Sequence, residues 1–155
     1  MLNLVSVDRV ISAVDYDEQK IMVAANCAIN TEKVKFIAAD ISEYEIDNSD
    51  VIILKDVLHY LPEAKQNKIL VNCYNKLNDN GIIIIRDGDA EVEKEHKNTR
   101  ITEWLSTGIG FNKTTNKLEF ISETKIRDFA LSNNLKFEIV EQANITSNKI
   151  FLLKK

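Results

Sequence analysis

His59 is the side chain in this sequence best suited to move a proton near neutral pH, because an unperturbed imidazole titrates close to neutrality. It lies in LKDVLHYLP, directly after the apolar run DVIIL, which reads as a strand. Open α/β sheets bind ligands outside the carboxyl ends of their strands, so Lys55, Asp56, His59 and Tyr60 stand together where a reacting centre belongs. Asp87 and Asp89 hold the equivalent place after the run Ile82–Ile85 and can orient a polar substrate. His59 and Asp87 are therefore the catalytic candidates. Asp15 closes a run from Val10 to Val14, and an ionised carboxylate there can accept charge-assisted hydrogen bonds from both hydroxyls of a ribose. Asp40 follows Val34–Ala38 in the same way. Each has a plainer reading: an acid after a strand is a common turn residue, Asp15 could cap a helix, and His59 could be structural.

The elements that must position these groups alternate along the chain, β-branched runs with longer amphipathic stretches. Residues 17 to 30 carry apolar groups at Ile21, Val23–Ala25 and Ala28–Ile29, a helical spacing, with Asp17 and Glu18 in the first turn, where acids complement the helix dipole. Val34–Ala38 reads as a strand. Asp50–Leu54 is a continuous apolar run, as expected for a strand buried on both faces. Glu63–Leu77 is a helix with Pro62 just before it, where a missing N–H costs little. Asn80-Gly81 is expected to stop that helix and turn the chain into Ile82–Ile85, the most hydrophobic stretch and hence a central strand. Strands separated by helices imply parallel pairing with helices on both faces. Residues 91–107 read as a charged helix, and Ser122 can cap another running to Asn133. Leu135–Val140 and Lys149–Leu153 have only the polar connector ANITSN between them, too short for a parallel crossover, which makes them an antiparallel hairpin.

Composition narrows the class. A chain of 155 residues reads as one domain, 1–155, with a core of useful size. Its apolar fraction of 45% and charged fraction of 28% are those of a soluble globular protein. A net charge of −4 argues against a nucleic-acid groove. No apolar run is long enough to span a bilayer and no signal peptide is visible, which predicts a cytoplasmic chain without a membrane partner. Cys27 and Cys73 read as small buried hydrophobes. Two Cys and two His, widely scattered, give no metal-type spacing.

Four segments, in order, resemble the class I S-adenosylmethionine-dependent methyltransferases. AVDYDEQKI is similar to the family's acidic second-strand motif, FIAADISEYEI to its third-strand motif, and DVIILKDVLHYLP to the fourth-strand motif of its small-molecule members. LNDNGIIIIRDGD looks like the turn and fifth strand, with Asp79-Asn80 in place of the usual Pro-Gly. The resemblance covers roughly residues 10 to 90, and the terminal hairpin extends it to the end. It implies a Rossmann-like, mostly parallel sheet with a C-terminal antiparallel β-hairpin, S-adenosylmethionine as cofactor and a small-molecule acceptor. By the same resemblance Asp15 meets the ribose, Tyr16 stacks on the adenine, Asp40 and the N–H of Ile41 meet the adenine edge, and Lys55 lies beside the cofactor. Tyr60, Asp89, Trp104 and Phe111 fall to the substrate, with Phe120 and residues 91–121 as a lid insertion. Arg100 and Lys113 could meet an anionic substrate, although EVEKEHKNTR reads first as a solvated helix face. RDGDAEVEKEHKNTRITEW is also similar to the methyltransferase region at the C-terminal end of large bacterial multidomain polypeptides.

The family's first strand and glycine-rich turn have no counterpart before Asp15: the four glycines are Gly81, Gly88, Gly108 and Gly110. The chain is thus expected to be N-terminally truncated, leaving a gap about one strand wide at the roughly 4.8 Å strand spacing and edges that invite an upstream domain or a second copy to complete the sheet. Leu2, Leu4, Val5 and Val7 fit a helix tail better than a strand, though so short a run leaves both open. Losing three or so backbone hydrogen bonds at about 1 kcal/mol each would weaken cofactor binding on the order of a hundredfold. Two other functions fit parts of the pattern. One is a non-catalytic interaction module that keeps the fold; the other is a nicotinamide-dependent oxidoreductase, since Asp15 suits any adenosine ribose. The terminal hairpin and DVLHYLP disfavour the latter.

Overall fold

The computed structural model describes residues 8–27, 31–89, 119–140 and 148–155. The chain divides into two compact units, Met1–Glu45 and Ile46–Lys155. The segment Leu2–Val7, the proposed lid helix with Trp104 and Phe111, and the hairpin connector fall outside the described residues, apart from Asn148 at the connector's end.

The first unit is built on β1 (Ile11–Asp15) and β2 (Val34–Ala38), a parallel pair running in register from Ile11↔Val34 to Asp15↔Ala38. Both strands therefore end at the same edge, and the N–H of Ala39 donates to the Asp15 carbonyl at 3.0 Å to continue the ladder. Between them lies α1 (Glu18–Cys27). Asp17 sits just outside this helix as its cap: its Oδ1 accepts from the N–H of Gln19 at 2.9 Å and of Lys20 at 3.3 Å. No residue of α1 is buried. That overturns the expectation for Cys27, which is exposed, whereas Cys73 is buried as expected.

The second unit holds β3 (Ser49–Lys55), α2 (Glu63–Lys76), β4 (Leu77–Gly88), α3 (Glu123–Ser132), β5 (Lys136–Val140) and β6 (Asn148–Lys154). Its sheet has the order β3-β4-β6-β5. β3 and β4 are parallel, while β6 runs antiparallel to both β4 and β5. The hairpin forms as expected, but a mostly parallel sheet does not describe this unit, because β6 gives the central strand an antiparallel neighbour on its second edge. Ile52, Leu54, Ile83, Ile85, Phe151 and Leu153 share one face and are buried, together with Ile69, Leu70 and Cys73 of α2 and Ile126 and Ala130 of α3. Each large apolar side chain so buried contributes about 1.5–3 kcal/mol.

The opposite face carries Val51 and Ile53 of β3, which stay 51% and 46% exposed. The expectation that DVIIL is buried on both faces is therefore wrong for this strand. An apolar run records that both faces can be covered, and β3 lies at a sheet edge with a single strand partner.

The Asn80-Gly81 turn also differs from expectation. α2 stops at Lys76, and β4 starts at once with Leu77, paired to Ser49, before the register jumps to Val51↔Ile82. Asn78–Gly81 form the irregularity, with Asn80 left-handed at φ 62°. A Cβ at Gly81 would lie 2.8 Å from the Asn78 carbonyl and from the Leu77 side chain, so the approach requires glycine. Ser122 caps α3 as expected, accepting from the Lys125 N–H at 3.2 Å.

Candidate active site

The parallel pairing of β3 and β4 ends with Lys55 opposite Arg86. Residues just past that point on the two strands are neighbours, which is how His59 and Asp87, 28 positions apart in the chain, meet. At Asp56 the backbone turns left-handed (φ 52°), a conformation Asp tolerates better than most residues. Its N–H donates to the Arg86 carbonyl at 2.8 Å, and its carboxylate pairs with the Arg86 guanidinium through both oxygens. A single 3₁₀ turn, Leu58–Tyr60, follows and delivers His59.

Asp87 is fully buried. Its Oδ2 accepts from the Leu58 N–H at 2.9 Å, and its Oδ1 accepts from the Gly88 N–H at 2.8 Å and lies 2.6 Å from His59 Nδ1. An ionised carboxylate only accepts, so the imidazole meets it through a protonated Nδ1. His59 is 7% exposed; Phe120 stacks against it with centroids 5.5 Å apart, and Tyr60 lies at 3.9 Å. Together these hold the ring between Asp87, Tyr60 and Phe120.

Asp89, one step beyond β4, is also fully buried. Lys149 of β6 lies 2.5 Å from its Oδ2 and donates to Glu123 at 2.9 Å. These bonds hold the Lys149 ammonium above its ordinary range, chiefly through Asp89, and the Glu123 carboxyl below its own, chiefly through Lys149. Asp89 thus faces an internal ion pair. Burial pushes the Cys73 thiol up to about 12, which leaves it an inert core group.

In the first unit, Asp15 ends β1 and Asp40 follows the carboxyl end of the adjacent parallel strand β2. The Asp15 Oδ1 accepts from the Asp17 N–H at 2.9 Å and the Asp40 Oδ1 from the Ser42 N–H at 2.8 Å, both Asx-type turns. Asp15 and Ile41 are half-buried, Asp40 is exposed, and Tyr16 is 46% exposed. Lys55 is exposed at the end of β3. Among the described residues no group of His, Cys, Asp and Glu could hold a metal ion.

Sequence reasoning missed Gln66, Arg86, Glu119 and Lys149. One of them left a trace: Gln66 occupies the buried stripe of α2 with Ile69, Leu70 and Cys73, the one polar member of an i, i+3, i+4, i+7 set.

Solved methyltransferases share this fold. The N-methyltransferase NodS of Bradyrhizobium japonicum, in complex with S-adenosyl-L-homocysteine, aligns with a TM-score of 0.68 at 15% identity over 93% of this chain and 65% of its own. An O-methyltransferase family 2 protein of Planctomyces limnophilus, in complex with apigenin, aligns with a TM-score of 0.65 at 15% identity over 94% of this chain and 41% of its own. Residues 9–114 match the O-methyltransferase domain, and the chain belongs to that family of S-adenosylmethionine-dependent methyltransferases. Curated relatives are carboxy-S-adenosyl-L-methionine synthases. That of Psychrobacter sp. is 37% identical over 54 residues, 35% of this chain and 20% of its own length. That of Campylobacter concisus is 31% identical over 88 residues, 56% of this chain and 38% of its own length. The chain spans well under half the length of these relatives.

Proposed function

We propose that His59 is the general base of a methyl transfer from S-adenosylmethionine to a hydroxyl of a small molecule. The observation that carries this is the buried pair of His59 Nδ1 and Asp87 at 2.6 Å, in which the carboxylate engages Nδ1 and the base role falls to Nε2. When bound, the cofactor supplies an electrophilic sulfonium methyl. His59 Nε2 takes the proton from the attacking hydroxyl, and Asp87 stabilises the imidazolium that results and keeps the ring in register. Asp87 acts through His59, and its buried carboxylate serves as a positioning group. Tyr60 and Phe120 flank the ring and line the acceptor's approach. The O-methyltransferase family match and the apigenin complex of the Planctomyces relative support an aromatic hydroxyl as the acceptor class.

The first unit offers the chemistry that the cofactor's adenosine half needs. Two carboxylates stand at the carboxyl ends of neighbouring parallel strands, Asp15 to accept from a ribose diol and Asp40 to accept from an adenine amine, with Ile41 and Tyr16 adjacent. Lys55 is kept in this reading as a cofactor-side residue.

The test is release of S-adenosyl-L-homocysteine with a panel of phenolic acceptors that includes apigenin. His59→Asn is expected to lower turnover on the order of 10²–10⁴-fold with cofactor affinity unchanged. Equal turnover in the variant and the parent would overturn the assignment.

A further inference from the structure

The turn that bears His59 is held by more than Asp87. Gln66, on the second turn of α2 and 2% exposed, places its side-chain nitrogen 3.1 Å from the Leu58 carbonyl, 3.0 Å from the Leu61 carbonyl and 2.6 Å from the Glu119 carbonyl. Three carbonyl oxygens around one atom demand a donor, which assigns the amide orientation unambiguously. Two of those carbonyls flank His59 in the chain. The third belongs to a segment 53 residues away.

That distant segment is tied to the same turn twice more. The Glu119 N–H donates to the His59 carbonyl at 2.9 Å, and the Glu119 carboxylate accepts from the Glu63 N–H at 3.0 Å. The second bond supplies the α2 cap that Pro62 has no side-chain acceptor to make. The next residue, Phe120, is the one stacked on the imidazole, its plane 19° from that of His59. The Gln66 amide therefore sets the spacing between the backbone that carries the base and the backbone that carries the ring against it.

We infer that Gln66 is a positioning residue for His59: its amide locks the Leu58–Leu61 turn to Glu119–Phe120 and so sets how the imidazole face lies against Phe120. This rests on the reading of His59 as the base only for its functional consequence; the geometry is read directly. A role in α2 packing alone would leave the imidazole indifferent to what replaces the amide. A positioning role would not, because the carbonyls of Leu58, Leu61 and Glu119 lose their shared donor and the spacing it sets between the two segments loosens.

The chain has two histidines, His59 and His96, so a His96→Gln background leaves one imidazole to observe by ¹⁵N NMR of the intact protein. The expected parent spectrum is a single sharp ring with Nδ1 protonated. Gln66→Met keeps the length and removes the donors; it is expected to give exchange-broadened ring signals and a loss of the upfield shift from Phe120. Ile126→Val, a core change in α3, serves as the stability control and is expected to leave the ring signals as in the parent. If Gln66→Met lowers the melting temperature while the His59 ring linewidths and ring shift stay as in the parent, the inference is overturned. Should Gln66→Met not fold, Gln66→Asn keeps the donors one methylene short and carries the same two outcomes. An inert His59 in methyl transfer would not alter these spectra, which separates failure of the positioning role from failure of the proposed function.

Discussion

The two candidate regions of this chain are built on opposite plans. Around His59, side chains from β4, α2 and the segment after residue 118 converge on one turn, and Asp87 and Gln66 are buried with bonds spanning 28 and 53 positions of sequence. At the ends of β1 and β2, the Asp15 and Asp40 carboxylates accept from N–H groups two residues further along, and the side chains remain half-buried or exposed. The first plan fixes an imidazole in place before any ligand arrives, which suits the base role proposed for it. The second leaves carboxylates half-buried or exposed at strand ends, which suits recognition of a ligand that brings its own hydroxyls.

The largest expected break in that contrast is Asp87→Ala. It removes the acceptor for Leu58 N–H, Gly88 N–H and His59 at once, and buried groups left unsatisfied cost about 1–3 kcal/mol each. Urea unfolding should show a loss of about 3 kcal/mol or more. Asp15→Ala removes a part-buried local turn bond and should change stability by about 1 kcal/mol or less. Its effect should appear instead in calorimetric titration with S-adenosylmethionine, as a loss of affinity on the order of tenfold or more, since hydrogen bonds to a charged group are worth about 1.5–3 kcal/mol. A comparable stability loss for both variants would erase the distinction between the regions.

A smaller effect concerns the ion pair beside Asp89. The Glu123 carboxyl is held below its ordinary value of 4.5 by Lys149, so its contribution is complete above that value and is lost as pH falls through the lower, folded-state value. Lys149, raised above 10.5, contributes below that value and loses its contribution as pH rises through the folded-state one. Glu123→Gln should therefore destabilise by up to about 1 kcal/mol at neutral pH, and the difference from the parent should shrink in acid. A difference that is independent of pH would show that Lys149 does not act on Glu123 through charge.

Much of the architecture is legible in the sequence because it is local. The strands at residues 11–15, 34–38 and 49–55, the Ser122 cap and the closing hairpin all follow from period, turn chemistry and connector length. What misled was the reading of neighbours from a strand's own composition. DVIIL carries apolar side chains on both faces, yet Val51 and Ile53 remain exposed. Asn80-Gly81 looks like a helix stop, yet it forms a bulge inside β4, because Leu77 finds Ser49 as a partner first. The site divides the same way. His59 and Asp87 were visible as residues after strands, but their bond depends on the β3–β4 register, and Gln66 and Glu119 matter only through groups far away in sequence.

The most direct measurement of the central claim is a double-mutant cycle on methyl transfer with His59→Asn, Asp87→Asn and the combined variant, read as release of S-adenosyl-L-homocysteine at saturating cofactor. If the two side chains act as one unit, each single variant slows turnover on the order of 10²–10⁴-fold and the double variant is no slower than His59→Asn alone. Losses that multiply in the double variant would contradict a His59 base held in place by Asp87.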